Sequence, residues 1–192
     1  MVKAIRFHKV GGPEVLSWDD IDLPPLGQED IRVRHTVVGL NFIDTYHRSG
    51  LYPLPLPSGI GMEGAGIVTG VGPGVTSISV GDRVAYASPP PGSYAEERNI
   101  NANAVVKIPD NVSDKVAAAL MLKGLTAQYL IRQIHKVGPS DTILIHAAAG
   151  GVGLIICQWA KKLGATVIGT VGSDEKAALA SDNGCDYPII YT

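Results

Sequence analysis

Six residues, Ala148-Ala149-Gly150-Gly151-Val152-Gly153, have the types and spacing of a backbone cradle for linked phosphates. Gly150 lets the main chain pass close to a pyrophosphate, and Gly153 lets a following helix pack tightly on the preceding strand. The first turn of such a helix presents N–H groups without helical partners and a partial positive charge. The chemistry implied is anion binding by backbone, and the ligand class implied is a dinucleotide. Ala148 occupies the place of the first glycine in the usual Gly-x-Gly-x-x-Gly spacing, so the motif by itself is imperfect.

The elements around the turn supply the context. Residues 141–147 read as a buried strand, 151–163 as a helix, 165–171 as a second strand, 173–180 as another helix and 187–191 as a third strand. Strand–helix–strand–helix–strand is one half of a doubly wound parallel sheet. The choice of dinucleotide falls to the tip of the second strand, Thr170-Val-Gly-Ser-Asp-Glu-Lys176. Asp174 and Glu175 stand near the distance at which an acid holds a ribose 2′-hydroxyl, which keeps NAD available. Behind an N-cap at Ser173, however, both acids also answer the helix dipole. Gly172 leaves space, Ser173 can bond a phosphate oxygen and Lys176 supplies positive charge, so this tip favours NADPH.

Upstream the pattern changes. From residue 1 to about 110, short alternating segments such as Ile31–Val38, Gly66–Val71 and Asp82–Tyr86 are separated by clusters of glycine and proline, the layout of a small β-barrel or sandwich. Helical character begins at Ser113 and continues to about Val137, with Gly124 as a break. Apolar residues make up 45% of the 192 and charged ones 18%, which reads as ordered and globular. A net charge of −2 without a basic block argues against nucleic acid as a partner, and the apolar runs are too short to span a bilayer. Cys157 and Cys185 lack a ligand partner at short spacing, and Cys157 reads as a packed thiol. His8, His35, His47, His135 and His146 show no metal-ligand spacing, so packing or surface roles are expected for each.

Several further motifs, in order along the chain, carry a family resemblance. Gly11-Gly-Pro-Glu-Val-Leu16, Gly39-Leu-Asn-Phe-Ile-Asp44, Arg48-Ser-Gly-Leu-Tyr52, Gly61-Met-Glu-Gly-Ala-Gly66, Gly81-Asp-Arg-Val84 and Leu122-Lys-Gly-Leu-Thr126 join the glycine turn with Gln158 and Lys161. Together they resemble the quinone oxidoreductase (zeta-crystallin-like) branch of the medium-chain dehydrogenase/reductase superfamily, over essentially the whole chain. The resemblance implies an α/β plus β chain. A GroES-like β-barrel catalytic domain covers residues 1–121, and an incomplete Rossmann domain, the first half of a doubly wound parallel sheet, covers 122–192. Where zinc relatives carry a cysteine and a histidine on the metal, this chain has Asn41 and Met62, which supply neither thiolate nor imidazole. No metal is therefore expected.

By resemblance, Asn41, Tyr46 and Tyr52 line the catalytic pocket and can hydrogen-bond a carbonyl oxygen, although the two tyrosines could also be ordinary barrel-edge aromatics. Phe42, Ile43, Asp44, Lys123, Thr126, Tyr129, Gly151, Val152, Gly172, Ser173, Lys176 and Tyr191 are the implied cofactor contacts beside Gly150, with Lys123 equally readable as a surface cation. Glu63 and Asp82 are expected to serve internal hydrogen bonds. The implied activity is NADPH-dependent reduction of a quinone, by hydride transfer without a metal, in a cytoplasmic homodimer with no membrane partner. Reduction of an enone or alkenal is the alternative within enzymes, and a non-catalytic interaction or structural module the alternative outside them. Relatives of this kind continue well beyond residue 192, so the chain is expected to be C-terminally truncated.

Overall fold

A computed structural model describes residues 1–191, in two compact units, Met1–Leu122 and the stretch from Lys123 onward. In the first, β1 (Val2–Phe7), β2 (Leu16–Ile21), β3 (Asp30–Gly39), β4 (Ser58–Gly59), β5 (Glu63–Val71), β6 (Arg83–Ala87), β7 (Glu97–Asn101) and β8 (Val105–Lys107) form two antiparallel sheets. The larger has the order β7-β3-β5-β6-β8, and the smaller β2-β1-β4. An Ala4–Ala95 bridge and the bond from Ile5 N–H to the Tyr94 carbonyl (2.7 Å) join them into a barrel. The alternation of β3 explains its place. Ile31 and Val33 point inward and meet Val68, Val84, Tyr86 and Ile100, while Arg32 and Arg34 point away. Each such valine or isoleucine contributes about 1.5–3 kcal/mol by leaving water.

A helix, α1 (Phe42–Ser49), follows β3 directly. Alternation gave no sign of it, because its signal is a cap rather than a period: the Asp44 carboxylate accepts the Asn41 N–H at 2.9 Å. Helix α2 (Asp114–Gln128) starts where Ser113 predicts and accepts the Arg83 guanidinium on Asp114. The expected break at Gly124 does not occur. A helix-interior glycine costs only about 1 kcal/mol relative to alanine, too little to interrupt a run of good helix formers. The helix instead widens into a π-helical turn over Tyr129–Ile134, closed by His135 N–H on the Leu130 carbonyl.

The second unit holds β9 (Thr142–Ile145), α3 (Gly151–Lys162), β10 (Thr166–Val171), α4 (Asp174–Asp182) and β11 (Tyr187–Ile190). The three strands are parallel in the order β11-β10-β9, as two successive βαβ crossovers require. Val167, Val171, Ile145, Ile156, Cys157 and Ala160 form its core. Strand β9 ends two residues earlier than expected because Ala147 turns into the left-handed region at φ 53°. No helix among the described residues is long and apolar enough to cross a membrane.

Candidate active site

The glycine turn is built almost entirely from backbone. Gly150 N–H bonds the Ala147 carbonyl at 2.8 Å, and Ala148 N–H bonds Thr170 on β10 at 3.0 Å. Gly153 is required by contact: a Cβ there would lie 2.4 Å from the Ala147 oxygen and 2.7 Å from that of Ala148. Ala148, the odd residue of the motif, is fully buried, and its methyl group fills the space where a Cβ on Gly169 would otherwise sit, 2.5 Å away. The glycine missing at 148 has its counterpart across the sheet at 169. A glycine inside an otherwise β-branched strand was the available signal for that close approach.

Gly150 is the N-cap of α3, so the first-turn N–H groups of Gly151, Val152 and Gly153 point out of the helix start. The Lys123 stem lies over this turn, its Cδ and Cε about 3 Å from where a Gly151 Cβ would be. Thr126 follows Lys123 on α2, and Tyr129, half exposed, opens the π-helical turn. At the tip of β10 a cavity of about 120 Å³ is lined by Ala147, Ala149, Gly150, Val171, Gly172, Lys176 and Tyr191. Ser173 caps α4, its Oγ accepting the Lys176 N–H at 3.3 Å. That bond uses a lone pair and leaves the hydroxyl proton to donate. The cavity wall includes Lys176 but neither Asp174 nor Glu175. A cradle of outward N–H groups, a glycine-walled cavity and one ammonium fit a phosphorylated dinucleotide.

In the barrel unit, α1 and the loop after it gather the other expected residues. Phe42, Tyr46 and Tyr52 stack edge to face, with ring centroids 5.3 Å and 5.2 Å apart. Phe42 and Tyr52 are exposed, and Ile43 is half-buried beside them. Asn41 and Asp44 are buried. The Asp44 carboxylate, which resemblance offers to a cofactor, is engaged inside the unit: one oxygen accepts both the Asn41 N–H and the Tyr94 hydroxyl (2.8 Å). Burial and that neighbouring carboxylate hold the Tyr94 phenol well above its ordinary pKa. Asn41 Nδ2 donates to Glu63 Oε1 at 2.7 Å. Asp82 likewise serves its turn, accepting Ser79 N–H at 2.8 Å and pairing with Lys107. No group of three or more His, Cys, Asp or Glu side chains is placed to hold a metal ion among the described residues.

The two cysteines, left apart by the sequence, share the core of the second unit. Burial, with the Cys185 thiol beside it, pushes the Cys157 thiol up to about 11, and it bonds weakly to the Ala148 carbonyl beneath the glycine turn. Cys157 is thus a packed group and not a nucleophile.

Comparison with known proteins agrees with this fold. Residues 27–110 match the alcohol dehydrogenase GroES-like domain, and residues 151–192 match the zinc-binding dehydrogenase model. The chain is 54% identical to a quinone oxidoreductase of Pseudomonas aeruginosa, covering all of this chain and 59% of that protein. It is 48% identical to a 2-haloacrylate reductase of a Burkholderia species, covering 100% and 60% respectively. The crystal structure of Escherichia coli quinone oxidoreductase complexed with NADPH superposes with a TM-score of 0.96 at 50% identity, over 98% of this chain and 58% of that one. This chain therefore spans about 59% of the length of the relatives it matches. The chain carries an alcohol dehydrogenase GroES-like domain and the start of a zinc-binding dehydrogenase domain, and over its whole length it is similar to quinone oxidoreductases of the medium-chain dehydrogenase/reductase superfamily.

Proposed function

We propose that the protein reduces quinones with NADPH, by hydride transfer and without a metal. The observation that carries this reading is the cavity at the tip of β10, where Gly172 leaves room and Lys176 supplies the cation. A 2′-phosphate pairs with such a lysine, whereas a free 2′-hydroxyl calls for an acid in the wall. NADPH, when bound, supplies the hydride, and quinones are electrophilic enough to take it without a Lewis acid.

The residues of this chain bind and orient. The first-turn N–H groups of α3 take the pyrophosphate, and the Ser173 hydroxyl and Lys176 take the 2′-phosphate. On the barrel unit, Asn41 and the phenols of Tyr46 and Tyr52 orient the acceptor and donate to its carbonyl oxygen. Similarity to a relative solved with NADPH supports the cofactor, and Asn41 and Met62 in place of metal ligands support the zinc-free reading. A cytoplasmic homodimer belongs to the same reading. Light scattering checks the dimer, and a mass equal to one chain overturns it.

The test is NADPH oxidation with a quinone. Lys176→Glu removes a charge-assisted contact of about 1.5–3 kcal/mol, so NADPH affinity should fall about 10- to 100-fold while NADH affinity is kept. Equal use of NADH and NADPH by the wild type overturns the cofactor assignment. The 2-haloacrylate reductase among the relatives favours a second reading, reduction of an activated alkene. Rates on a quinone and on an enone, measured side by side, separate the two.

A further inference from the structure

An asparagine amide can turn over about its last torsion and so exchange a donor for an acceptor. A site that uses Asn41 must remove that freedom. Glu63 is in position to do so. It is fully buried on β5, with Oε1 2.7 Å from Asn41 Nδ2 and Oε2 2.6 Å from the Leu122 backbone nitrogen. A carboxylate accepting N–H donors on both oxygens offers none in return, so only the NH₂ end of the amide can face it.

The strands are shaped around this contact. Gly39 is the register partner of Glu63. A Cβ on Gly39 would lie 2.4 Å from Glu63 Cγ, from Glu63 Oε1 and from the Ala118 carbonyl, so only glycine lets the carboxylate lie where it does. Asp44 meanwhile fixes the backbone of Asn41 through its N–H. One asparagine is held by two buried acids: the Asp44 carboxylate takes its main-chain N–H, the Asp44 N–H completes a capping box on its side chain, and Glu63 takes the NH₂ end of its amide.

We propose that Glu63 is a positioning residue of the active site, its carboxylate fixing the orientation in which the Asn41 amide meets substrate or cofactor. The kinetic consequence rests on the reductase reading above; the orientation does not. The side-chain amide of Asn41 is followed by NMR in the isotope-labelled chain. In the wild type one of its two protons should be shifted downfield and protected from exchange, and Glu63→Gln should abolish both effects. Glu63→Asp, which keeps the charge but withdraws the oxygens, should do the same and serves if Glu63→Gln does not fold. An Asn41 amide that ignores both variants overturns the proposal.

The second measurement is a pH profile of hydride transfer. Asn41→Asp sets two carboxyl groups at hydrogen-bonding distance, and the pair shares one proton below a raised second pKa. Its rate should fall by about 10-fold or more as pH rises through that value, since the repelled side chain leaves its productive position. The double variant Asn41→Asp/Glu63→Gln should lose this pH dependence, because one carboxyl remains and an amide now donates to it. A pH profile unchanged by adding Glu63→Gln overturns the proposal. If the wild type transfers no hydride, the functional reading fails while the NMR result still decides the inference.

Discussion

The two units hold their candidate site groups by different physics. In the barrel, buried polar groups are fixed by side-chain hydrogen bonds, Asn41 to Glu63 (2.7 Å), Tyr94 to Asp44 (2.8 Å) and His35 to Tyr86 (2.6 Å), beside the stacked rings of Phe42, Tyr46 and Tyr52. In the βαβ unit the glycine turn is fixed by main-chain bonds and by side chains that are absent, at Gly153 and Gly169. Barrel positions should respond to protonation and to exchange of a donor for an acceptor. Turn positions should respond to the volume of a single methyl group and be indifferent to pH.

The largest expected effect lies at the turn. Gly153→Ala drives a methyl group into the Ala147 and Ala148 carbonyl oxygens, and these are backbone atoms that cannot rotate aside. Stability of the second unit should drop by about 3 kcal/mol, the upper range for overpacking, with loss of binding to any pyrophosphate ligand. Urea unfolding monitored through Trp159 reads the first, and titration with NADPH the second. A loss below about 1 kcal/mol would mean that the turn yields, against the steric side of the comparison.

His35 tests the barrel side. Its Nδ1 lies 2.6 Å from the Ala95 carbonyl, which only accepts, so that nitrogen carries the proton and Nε2 accepts the Tyr86 hydroxyl at 2.6 Å. Burial lowers its pKa from 6.5 to about 4; the Ala95 bond opposes the shift, and Arg98 adds to it. The folded state therefore prefers the neutral ring. This contribution is fully present above the unfolded pKa near 6.5 and is lost as pH falls toward about 4, up to about 3 kcal/mol. Unfolding curves across that window, for wild type and His35→Gln, should differ in slope. Equal slopes would deny that the barrel network is tied to protonation. His135 and His146 of the second unit are exposed and offer no such buried group.

The same contrast decides what was legible in the sequence. Period and turn chemistry reveal β3, β10 and α3, because each buries one face of a regular pattern. The glycine turn was legible because its requirement is local: a strand, small residues, a helix start. Glu63 and Asn41 are 22 residues apart, and no local pattern announces that one will receive a hydrogen bond from the other. Helix α1 was hidden for a related reason, since eight residues capped by Asn41 and Asp44 are too few for apolar periodicity to show. Gly124 misled in the opposite direction: a weak local penalty yields to the helix on either side of it. What escapes sequence reading is concentrated where side chains meet across the fold, and that is the barrel.

The smallest expected effect separates shape from chemistry at the turn. Ala147 holds φ at 53°, a conformation that costs a residue with a Cβ about 1–2 kcal/mol. Its carbonyl is the part that works, accepting Gly150 N–H and setting the floor under Gly153. Ala147→Gly keeps that carbonyl and relieves the strain, while the freer unfolded chain takes back about 0.5–1 kcal/mol. The net should be a gain of at most about 1.5 kcal/mol in urea unfolding, with NADPH affinity changed less than about 3-fold. A larger loss of affinity would show that the methyl group of Ala147, a residue lining the cavity at the tip of β10, touches the ligand itself. The turn would then owe part of its binding to a side chain, and the division between the two units would narrow at Ala147, where the βαβ unit pays strain to keep a Cβ.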